Sequence, residues 1–330
     1  MYVSKYPHII FREYPDYGYL TDNRNFGYDT QSKSMIKVGD RVISKTGCVF
    51  YSVLSEVPED VTVIVSRLMS IFTNAPYDEI YNDACEFYSE LAQGGFISYS
   101  DEYVEWSRDS YFSYANNALV ELPKVETDDF AYDDVFGEIQ QLTRVQVDVS
   151  GYCNEKCVHC YIPQSCKRGL MSIDLFTRIL EQCRDNNLLN ITISGGEPMI
   201  NPDLTEFLNL CGKNNFSVNL LSNLTLLSDE ILRVLVENPL ISVQTSLYSM
   251  NEDIHDSITG LQGSFKKTIQ AIRLLHRHNI PIQINCPIMK QNKDDYSDVI
   301  TWAQSMNIEA DSDYMLFGCY DCSKKNLKCR

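Results

Sequence analysis

CNEKCVHC, at residues 153–160, places three cysteines close together, separated by three and then by two residues. Closely spaced thiolates bind a structural zinc ion, form a disulfide or hold an iron–sulfur cluster. His159 or Cys166 would supply the fourth ligand of a zinc site, whereas a cluster held by three cysteines keeps one iron free. The motif alone leaves these alternatives open, and the rest of the chain has to separate them.

Composition and charge restrict the class of protein. The 330 residues are 44% hydrophobic, which allows two domains with cores of their own. The N-terminus lacks the pattern of a signal peptide, and no stretch approaches the roughly 20 apolar residues that span a bilayer, so we expect a cytoplasmic protein with no membrane partner. The net charge of -17 argues against a nucleic-acid partner, because such proteins need a basic face. Twelve cysteines in a reducing compartment favour metal or redox chemistry over disulfides.

The second half of the chain alternates strand and helix patterns. Strand-like runs occur at residues 144–150, 188–194, 216–222, 240–246, 280–286 and 309–316. Helical patterns separate them at residues 173–183, 203–211, 228–237, 264–278 and 295–306. Six strands joined by helices indicate parallel βα units that curl in one direction. The alternative, an antiparallel sheet with one exposed face, fits the connecting helices poorly.

Polar and apolar residues alternate along these strands. In the first strand, Gln146 and Asp148 alternate with Val145 and Val147. A period of two places the polar residues on one face, and a closed barrel filled with side chains would not tolerate so many polar groups without partners. We therefore predict a partial (β/α)6 barrel with a polar, ligand-holding lumen over residues 143–318.

Residues with chemical potential follow several of the predicted strands. The three cysteines come after the first strand, at the edge where βα folds place their active sites. The second strand ends in SGGEP, whose glycines let a ligand approach the backbone and are expected to expose unpaired main-chain groups, while the glutamate attracts a cation. Hydroxyls and amides suited to a sugar follow the third and fourth strands. We expect one mouth to gather Ser194, Gly195, Gly196, Glu197, Pro198, Ser222, Asn223 and Ser246.

On CNEKCVHC and SGGEP, and on their places after the first two strands, residues 143–317 resemble the radical S-adenosylmethionine superfamily. The resemblance implies that Cys153, Cys157 and Cys160 are the catalytic and metal-binding residues and hold a [4Fe–4S] cluster by three irons. The fourth iron is then left for the amino and carboxylate groups of S-adenosylmethionine. The presence of SGGEP at the expected place favours this cluster over a zinc site.

The same resemblance implies contacts to S-adenosylmethionine. The SGGEP turn, with Ser194, Gly195, Gly196, Glu197 and Pro198, would take the methionyl ammonium. The ring of His159 would pack near the adenine, and ribose or carboxylate contacts would come from Ser222, Asn223 and Ser246. The implied chemistry is a 5′-deoxyadenosyl radical that abstracts a hydrogen from the substrate, with the cofactor supplying the reactivity and the protein the positioning.

The first half of the chain has a different pattern. Strands are predicted at residues 18–23 and 37–44 and at a short run from 96 to 100, with helices at 46–56, 61–72 and 76–92. This order predicts a small winged-helix-type α+β domain over residues 1–100, followed by an acidic and aromatic linker over 101–142. The domain resembles the leader-peptide recognition element of ribosomal-peptide maturases, which implies that a leader adds as a strand beside the small sheet. A DNA-binding winged helix is the alternative, and the acidic third helix disfavours it.

Together the resemblances imply a peptide maturase that holds a precursor peptide by its leader and takes an electron from a donor such as flavodoxin or ferredoxin. A thioether crosslink is the first hypothesis for the bond formed, with a carbon–carbon crosslink or epimerisation as alternatives. Two other functions stay open: a radical enzyme acting on a protein or small molecule, and a truncated, non-catalytic peptide-binding fragment. Residues 319–330 are expected to begin a missing or truncated domain. Cys319, Cys322 and Cys329 belong there either to an ordinary surface segment, the favoured alternative, or to an auxiliary iron–sulfur cluster.

Overall fold

The computed structural model of the chain describes residues 1–23, 40–112, 114, 142–319, 321 and 325–329. These residues form two compact units. The first contains the described residues up to 111 together with 142 and 143, and the second contains 112, 114 and the described residues from 144 onward. Each helix in the described ranges is too short or too polar to cross a bilayer.

The first unit is an α+β domain with two small antiparallel sheets. Its strands are β1 (Tyr2–Lys5), β2 (Ile9–Glu13), β3 (Tyr17–Asp22), β4 (Arg41–Ser44), β5 (Glu59–Asp60) and β6 (Ile97–Ser100). Its helices are α1 (Lys45–Ser52), α2 (Val61–Ile71), α3 (Tyr77–Gln93) and α4 (Arg108–Phe112). One sheet has the order β5-β1-β6 and the other the order β2-β3-β4. The predicted α+β class is therefore confirmed.

The prediction of two strands before the first helix was wrong, because β1 and β2 also precede it. Strand β2 was missed because Ile9, Ile10 and Phe11 form a continuous apolar run without the alternation that identifies a strand. The helices were easier to recognise. Helix α3, predicted over 76–92, buries an apolar stripe that includes Ile80 and Ala84, and its N-terminus follows Pro76.

The second unit is an open, parallel α/β barrel. Its strands are β7 (Arg144–Ser150), β8 (Asn190–Gly195), β9 (Ser217–Leu221), β10 (Ile241–Ser246), β11 (Ile282–Asn285) and β12 (Glu309–Asp311). Its helices are α5 (Ile173–Asp185), α6 (Leu204–Lys213), α7 (Asp229–Glu237), α8 (Glu252–Thr259), α9 (Ser264–Arg277) and α10 (Tyr296–Ser305). The six strands are parallel and follow one another in the order β12-β11-β10-β9-β8-β7. The predicted partial (β/α)6 barrel is confirmed.

Two details of the barrel differ from the prediction. Strand β12 has three residues, whereas the sequence predicted a strand over 309–316. Helix α8 lies where the sequence predicted a loop, and it begins at Asn251, whose side chain accepts hydrogen bonds from the amides of Asp253 and Ile254. A strand-like alternation continues past Asp311, but it finds no further partner strand among the described residues.

The alternation in the strands separates a dry face from a wet one. The apolar face, with Ile191 and Ile193 of β8, is fully buried under the helices. On the lumen side, Gln244 Nε2 donates to Gln283 Oε1 at 3.1 Å, and Gln283 Nε2 donates to Asp311 Oδ2 at 2.8 Å. Polar side chains of three neighbouring strands thus form hydrogen bonds with one another along the lumen side of the sheet. These bonds explain why this face tolerates polar residues.

Tyr114, in the segment predicted to be a surface linker, is buried in the core of the second unit. Its hydroxyl donates to Ile280 O at 2.7 Å and accepts from the amide of Ile282 at 2.9 Å. Its ring stacks on His276 with centroids 4.1 Å apart. Tyr114 therefore anchors the chain at the start of β11.

Candidate active site

The carboxyl ends of the barrel strands surround one cavity of about 320 Å³. Nearly all the residues singled out from the sequence line it: Cys153, Cys157, His159, Cys160, Ser194, Gly195, Gly196, Glu197, Ser222, Asn223 and Ser246. Pro198 does not line it and instead begins a short 3-10 helix, Pro198–Ile200. Glu155 and Lys167 also line the cavity and were not singled out, although Glu155 lies inside the cysteine motif.

The glycine turn after β8 packs directly on the start of the cysteine loop. The amide of Gly196 donates to Ser150 O at 2.7 Å, and the amide of Glu197 donates to Tyr152 O at 2.8 Å. A Cβ atom at Gly195 would lie 2.2 Å from Ser150 O, and one at Gly196 would lie 2.4 Å from Tyr152 O. The two glycines are needed because backbone meets backbone here.

The expectation of unpaired main-chain groups at this turn was wrong for the amides of Gly196 and Glu197. Both amides point at carbonyl oxygens of the cysteine loop and are satisfied by them. In a trans peptide the C=O points away from the N–H. The turn can therefore offer a ligand the carbonyl oxygens of Gly195 and Gly196. Carbonyl oxygens accept hydrogen bonds, and they suit the ammonium group that the sequence resemblance implies.

Glu197 connects the glycine turn to the end of β9. Its side chain is 1% exposed, and its carboxylate accepts three hydrogen bonds from within the protein. Ser222 Oγ donates to Oε1 at 2.7 Å, Met199 N donates to Oε1 at 3.0 Å, and Asn223 N donates to Oε2 at 2.8 Å. Burial raises the pKa of this carboxyl, and the three donors act in the opposite direction. The carboxylate thus holds the turn in place, and its donors replace the cation that was expected.

Replacing Glu197 with glutamine is expected to lower the free energy of unfolding by about 2 kcal/mol. If the oxygen of the new amide faces Met199 and Ser222, its nitrogen faces the N–H of Asn223. Two hydrogen-bond donors would then meet in a buried place. Chemical denaturation should detect the loss beside Glu206→Gln, an exposed residue on α6. Equal stability of the two variants would contradict the role given to Glu197.

The second cysteine is held by the end of α8. The amide of Lys156 donates to Thr259 O at 2.8 Å, and the amide of Val158 donates to Ile258 O at 2.9 Å. The last carbonyl groups of a helix have no partner within the helix, and here the cysteine loop supplies one. Cys157 lies between the two bonded amides, so its backbone is fixed by α8.

The thiols of Cys153 and Cys157 lie in an environment that disfavours their charged form in the absence of a cation. Burial raises the pKa of Cys153 to about 11. Burial raises the pKa of Cys157 as well, and Glu155, which accepts a hydrogen bond from Cys157 Sγ at 3.2 Å, raises it further. Metal ions bind the thiolate and reverse this preference, so a bound metal centre would let these thiols ionise.

The arrangement of the thiols fits a cluster. In the described part of the chain, no three His, Cys, Asp or Glu side chains lie close enough together to share one metal ion. A [4Fe–4S] cluster places each thiolate on a different iron, so three thiols around a cavity can hold it without converging on one point. Cys166, the alternative zinc ligand, is exposed and does not line the cavity.

His159 and Tyr248 form an aromatic wall of the cavity. The Tyr248 hydroxyl and His159 Nε2 are 3.3 Å apart, and the two rings meet edge to face with centroids 5.2 Å apart. Burial lowers the pKa of His159 to about 4, so its ring is neutral at physiological pH. A neutral, flat ring suits the adenine contact that the resemblance implies for His159.

Asn223 ties the cysteine loop to β9. Its Nδ2 donates to Asn154 Oδ1 at 3.0 Å, and its Oδ1 accepts from the hydroxyl of Thr225 at 2.7 Å. The Ser222 hydroxyl, besides its bond to Glu197, accepts from Leu224 N at 2.9 Å. These groups have partners in the protein, and their predicted contacts with ribose or carboxylate, like that of the half-buried Ser246, stay predictions.

Asp256 shapes the junction between α8 and α9. Its carboxylate accepts from Ser264 Oγ at 2.8 Å, from Phe265 N at 2.9 Å and from Gly263 N. It therefore satisfies the first donors of α9 and has a structural role. His255, its neighbour in α8, accepts a hydrogen bond from Tyr248 N at 3.3 Å.

The cysteines near the end of the chain have partners within the protein. Cys319 Sγ donates to Cys160 O at 3.7 Å, and Cys329 Sγ donates to Asn326 O at 2.8 Å. Cys322 lies outside the described residues. The auxiliary cluster at these three cysteines stays a prediction.

Comparison with known proteins agrees with this site. Residues 147–303 match the Radical SAM superfamily. The chain is 27% identical over 235 residues to the antilisterial bacteriocin subtilosin biosynthesis protein AlbA of Bacillus subtilis, covering 71% of this chain and 51% of AlbA. It is 30% identical over 142 residues to the PqqA peptide cyclase of Gluconobacter oxydans, covering 42% of this chain and 40% of the cyclase. The chain therefore spans about half the length, or less, of these relatives.

A solved structure shares the fold. Streptococcus suis SuiB bound to its precursor peptide SuiA has a TM-score of 0.56 and 19% sequence identity, covering 94% of this chain and 63% of SuiB. Enzymes of the Radical SAM superfamily use a [4Fe–4S] cluster and S-adenosylmethionine. The family match and the common fold lead to one assignment: residues 147–303 of this chain are a radical SAM domain.

Proposed function

We propose that this chain is a radical S-adenosylmethionine enzyme that modifies a ribosomally made peptide. The observation that carries the proposal is the cavity in which three thiols face a glycine turn and a neutral aromatic wall. When bound there, the [4Fe–4S] cluster and S-adenosylmethionine would supply a 5′-deoxyadenosyl radical that abstracts a hydrogen atom from the substrate. We expect an electron donor of the flavodoxin or ferredoxin type and a cytoplasmic location.

The side chains divide the work of holding these groups. Cys153, Cys157 and Cys160 would bind three irons, and the carbonyl oxygens of Gly195 and Gly196 would accept from the methionyl ammonium. Glu197 and its donors keep the glycine turn rigid. A rigid cage of this kind orients the reacting groups before reaction, which is where an enzyme that uses a cofactor contributes most.

A peptide substrate is favoured by the relatives and by the first unit. AlbA and the PqqA cyclase are named for peptide products, and SuiB was solved with a precursor peptide. In the first unit, β4 is an edge strand among the described residues, so a leader can add beside it. Arg41 Nη2 of β4 lies 3.2 Å from Glu90 Oε1 of α3, which places the third helix next to this edge. A thioether crosslink in the core peptide is our first hypothesis, before a carbon–carbon crosslink or epimerisation.

The hydrogen-bond pattern identifies the backbone groups that would receive the leader. Tyr14 N donates to Tyr17 O, so Tyr17 and, two residues on, Tyr19 direct their backbone groups toward β2. Val42 of β4 is the Cα partner of Tyr19. In an antiparallel ladder the partner of such a residue points its own N–H and C=O outward, so the Val42 N–H is an outward-facing donor in the middle of β4.

Replacing Val42 with proline is therefore expected to weaken leader binding about tenfold without loss of the fold, because proline removes a donor and is tolerated on edge strands. Val42→Ala keeps the donor and serves as the control. Fluorescence anisotropy with labelled candidate precursor peptides, chosen from small open reading frames beside the gene, would measure the affinity. Equal affinities of the two variants would rule out this edge as the docking strand.

The decisive experiment for the chemistry is anaerobic. The full chain is reconstituted with iron and sulfide, given S-adenosylmethionine and a strong reductant, and 5′-deoxyadenosine is quantified by mass spectrometry. Abundant product supports the radical chemistry, and loss of two hydrogen atoms from a candidate precursor peptide would support a crosslink. No product from iron-loaded protein would favour a non-catalytic peptide-binding role, and product without any peptide modification would favour a protein or small-molecule substrate.

A further inference from the structure

The three cysteines of the cluster motif are held by three different parts of the second unit. The segment before Cys153 bonds to the glycine turn, and the backbone on both sides of Cys157 bonds to the end of α8. Only His159 separates Cys160 from Val158, the last residue bonded to α8. The contacts that hold Cys160 from outside the cysteine loop come from the end of the chain. There, His159 O accepts from Asn326 Nδ2 and Cys160 O accepts from Cys319 Sγ.

Asn326 bridges two backbone segments, which the bond from Cys319 Sγ to Cys160 O also joins. Its Nδ2 donates to His159 O at 3.0 Å and to Phe317 O at 2.7 Å, so both hydrogens of one amide are used. Asn326 is 5% exposed, and both of its bonds are partly buried. The loss of this amide is costly because one group makes both bonds, and a partly buried bond is replaced by water only in part.

The short 3-10 helix that carries Asn326, Lys325–Cys329, is anchored against the barrel. Cys329 is 6% exposed and packs in a cluster with Tyr248, Ile258 and Met289. Its carbonyl oxygen accepts from the amide of Lys290 at 2.9 Å. The helix therefore has a fixed position of its own, and Asn326 can transfer that position to the cysteine loop.

We propose that Asn326 is a positioning residue for the cluster: it holds the His159–Cys160 backbone so that the third thiolate stays on its iron. The inference rests on the proposed function, because it needs a bound cluster. A cluster with only three protein ligands is lost once one of its thiolates swings away, and that motion requires the loop at 159–160 to open locally. The same bond positions the backbone from which the ring of His159 reaches the hydroxyl of Tyr248.

The test is the rate at which the reconstituted full chain loses iron to a chelator. Asn326→Asp turns the amide donor into a carboxylate facing two carbonyl oxygens, and Asn326→Leu removes the donor without adding charge. Both are expected to release iron about tenfold faster than the wild type, the size of effect seen when a partner of a metal ligand is removed. Asn326→Gln keeps two donor hydrogens on a longer arm and should lie in between.

Asn238→Asp is the matched control, because the Asn238 side chain donates to the carbonyl of Leu208, on helix α6 and away from the cysteine loop. The second readout is the electron paramagnetic resonance spectrum of the reduced cluster with and without S-adenosylmethionine. A positioning role predicts that the spectral change on adding S-adenosylmethionine differs in the Asn326 variants and is unchanged in the control.

The outcomes separate this inference from the function on which it rests. Release rates within twofold of the wild type in both Asn326→Asp and Asn326→Leu, or equal acceleration in Asn238→Asp, would overturn the role of Asn326 while the wild type still binds a cluster. A wild-type chain that takes up no iron would instead refute the proposed function, and the inference with it. Faster release in the Asn326 variants, with apo-protein melting temperatures equal to that of the control, would establish it.

Discussion

Replacing Cys157 with alanine is expected to prevent stable cluster binding and to reduce 5′-deoxyadenosine formation more than 100-fold, since changes that only neighbour a metal ligand already cost about 10- to 100-fold. The fold should survive. The backbone bonds of Lys156 and Val158 to the end of α8 do not involve the thiol, and the side chain loses its contacts with Glu155 and Tyr248. Iron content, the absorbance of the reconstituted protein and product quantified by mass spectrometry would measure the effect.

Cys166→Ala is the informative companion. Cys166 is exposed and does not line the cavity, so a cluster held by the three motif cysteines should load normally in this variant. A zinc site that used Cys166 as its fourth ligand would lose affinity in this variant, whereas one completed by His159 would not. Normal iron loading and activity in Cys166→Ala, combined with loss of both in Cys157→Ala, is the expected result; the reverse pattern would refute the assignment.

Replacing Gly195 with alanine is expected to cost at least about 4 kcal/mol of unfolding free energy and to abolish S-adenosylmethionine binding, because backbone strain and a steric clash add together. The residue has a φ of 135°, which side chains rarely adopt, and its new methyl group would lie 2.2 Å from Ser150 O. Neither the added methyl group nor Ser150 O can move unless the backbone at the junction of β7 and β8 moves with it.

Gly169→Ala isolates one of these two effects. Gly169 also has a positive φ, 89°, but no atom lies within 4 Å of the position of its added Cβ. Its alanine variant should therefore lose only the conformational part, about 1 to 2 kcal/mol. Urea denaturation of both variants would measure their losses of unfolding free energy, and the difference between the two losses is the part due to the clash. Similar losses in the two variants would mean that the glycine turn is looser than its contacts with the cysteine loop indicate.

Much of the barrel could be read from local patterns. Alternation of Gln146 and Asp148 with valines and the helical stripes between the strands both arise from neighbours in the sequence, which is why the strand order and the polar lumen were predictable. The cysteine spacing and SGGEP are equally local, which is why nearly all the residues predicted from the sequence line the cavity. Helix α8 and strand β2 were missed because the first lies in a polar stretch and the second in an unbroken apolar run.

The tertiary structure decided what these residues do for one another. From the sequence alone, Glu197 is a carboxylate that attracts a cation, and the glycines are a place where a ligand approaches the backbone. In the fold, Glu197 is satisfied by donors at the end of β9, and the glycines make room for the carbonyl groups of Ser150 and Tyr152. Asn326 meets His159 across 167 positions of the chain. Sequence patterns reflect interactions between near neighbours, whereas partners so far apart are brought together only by the packing of the whole barrel.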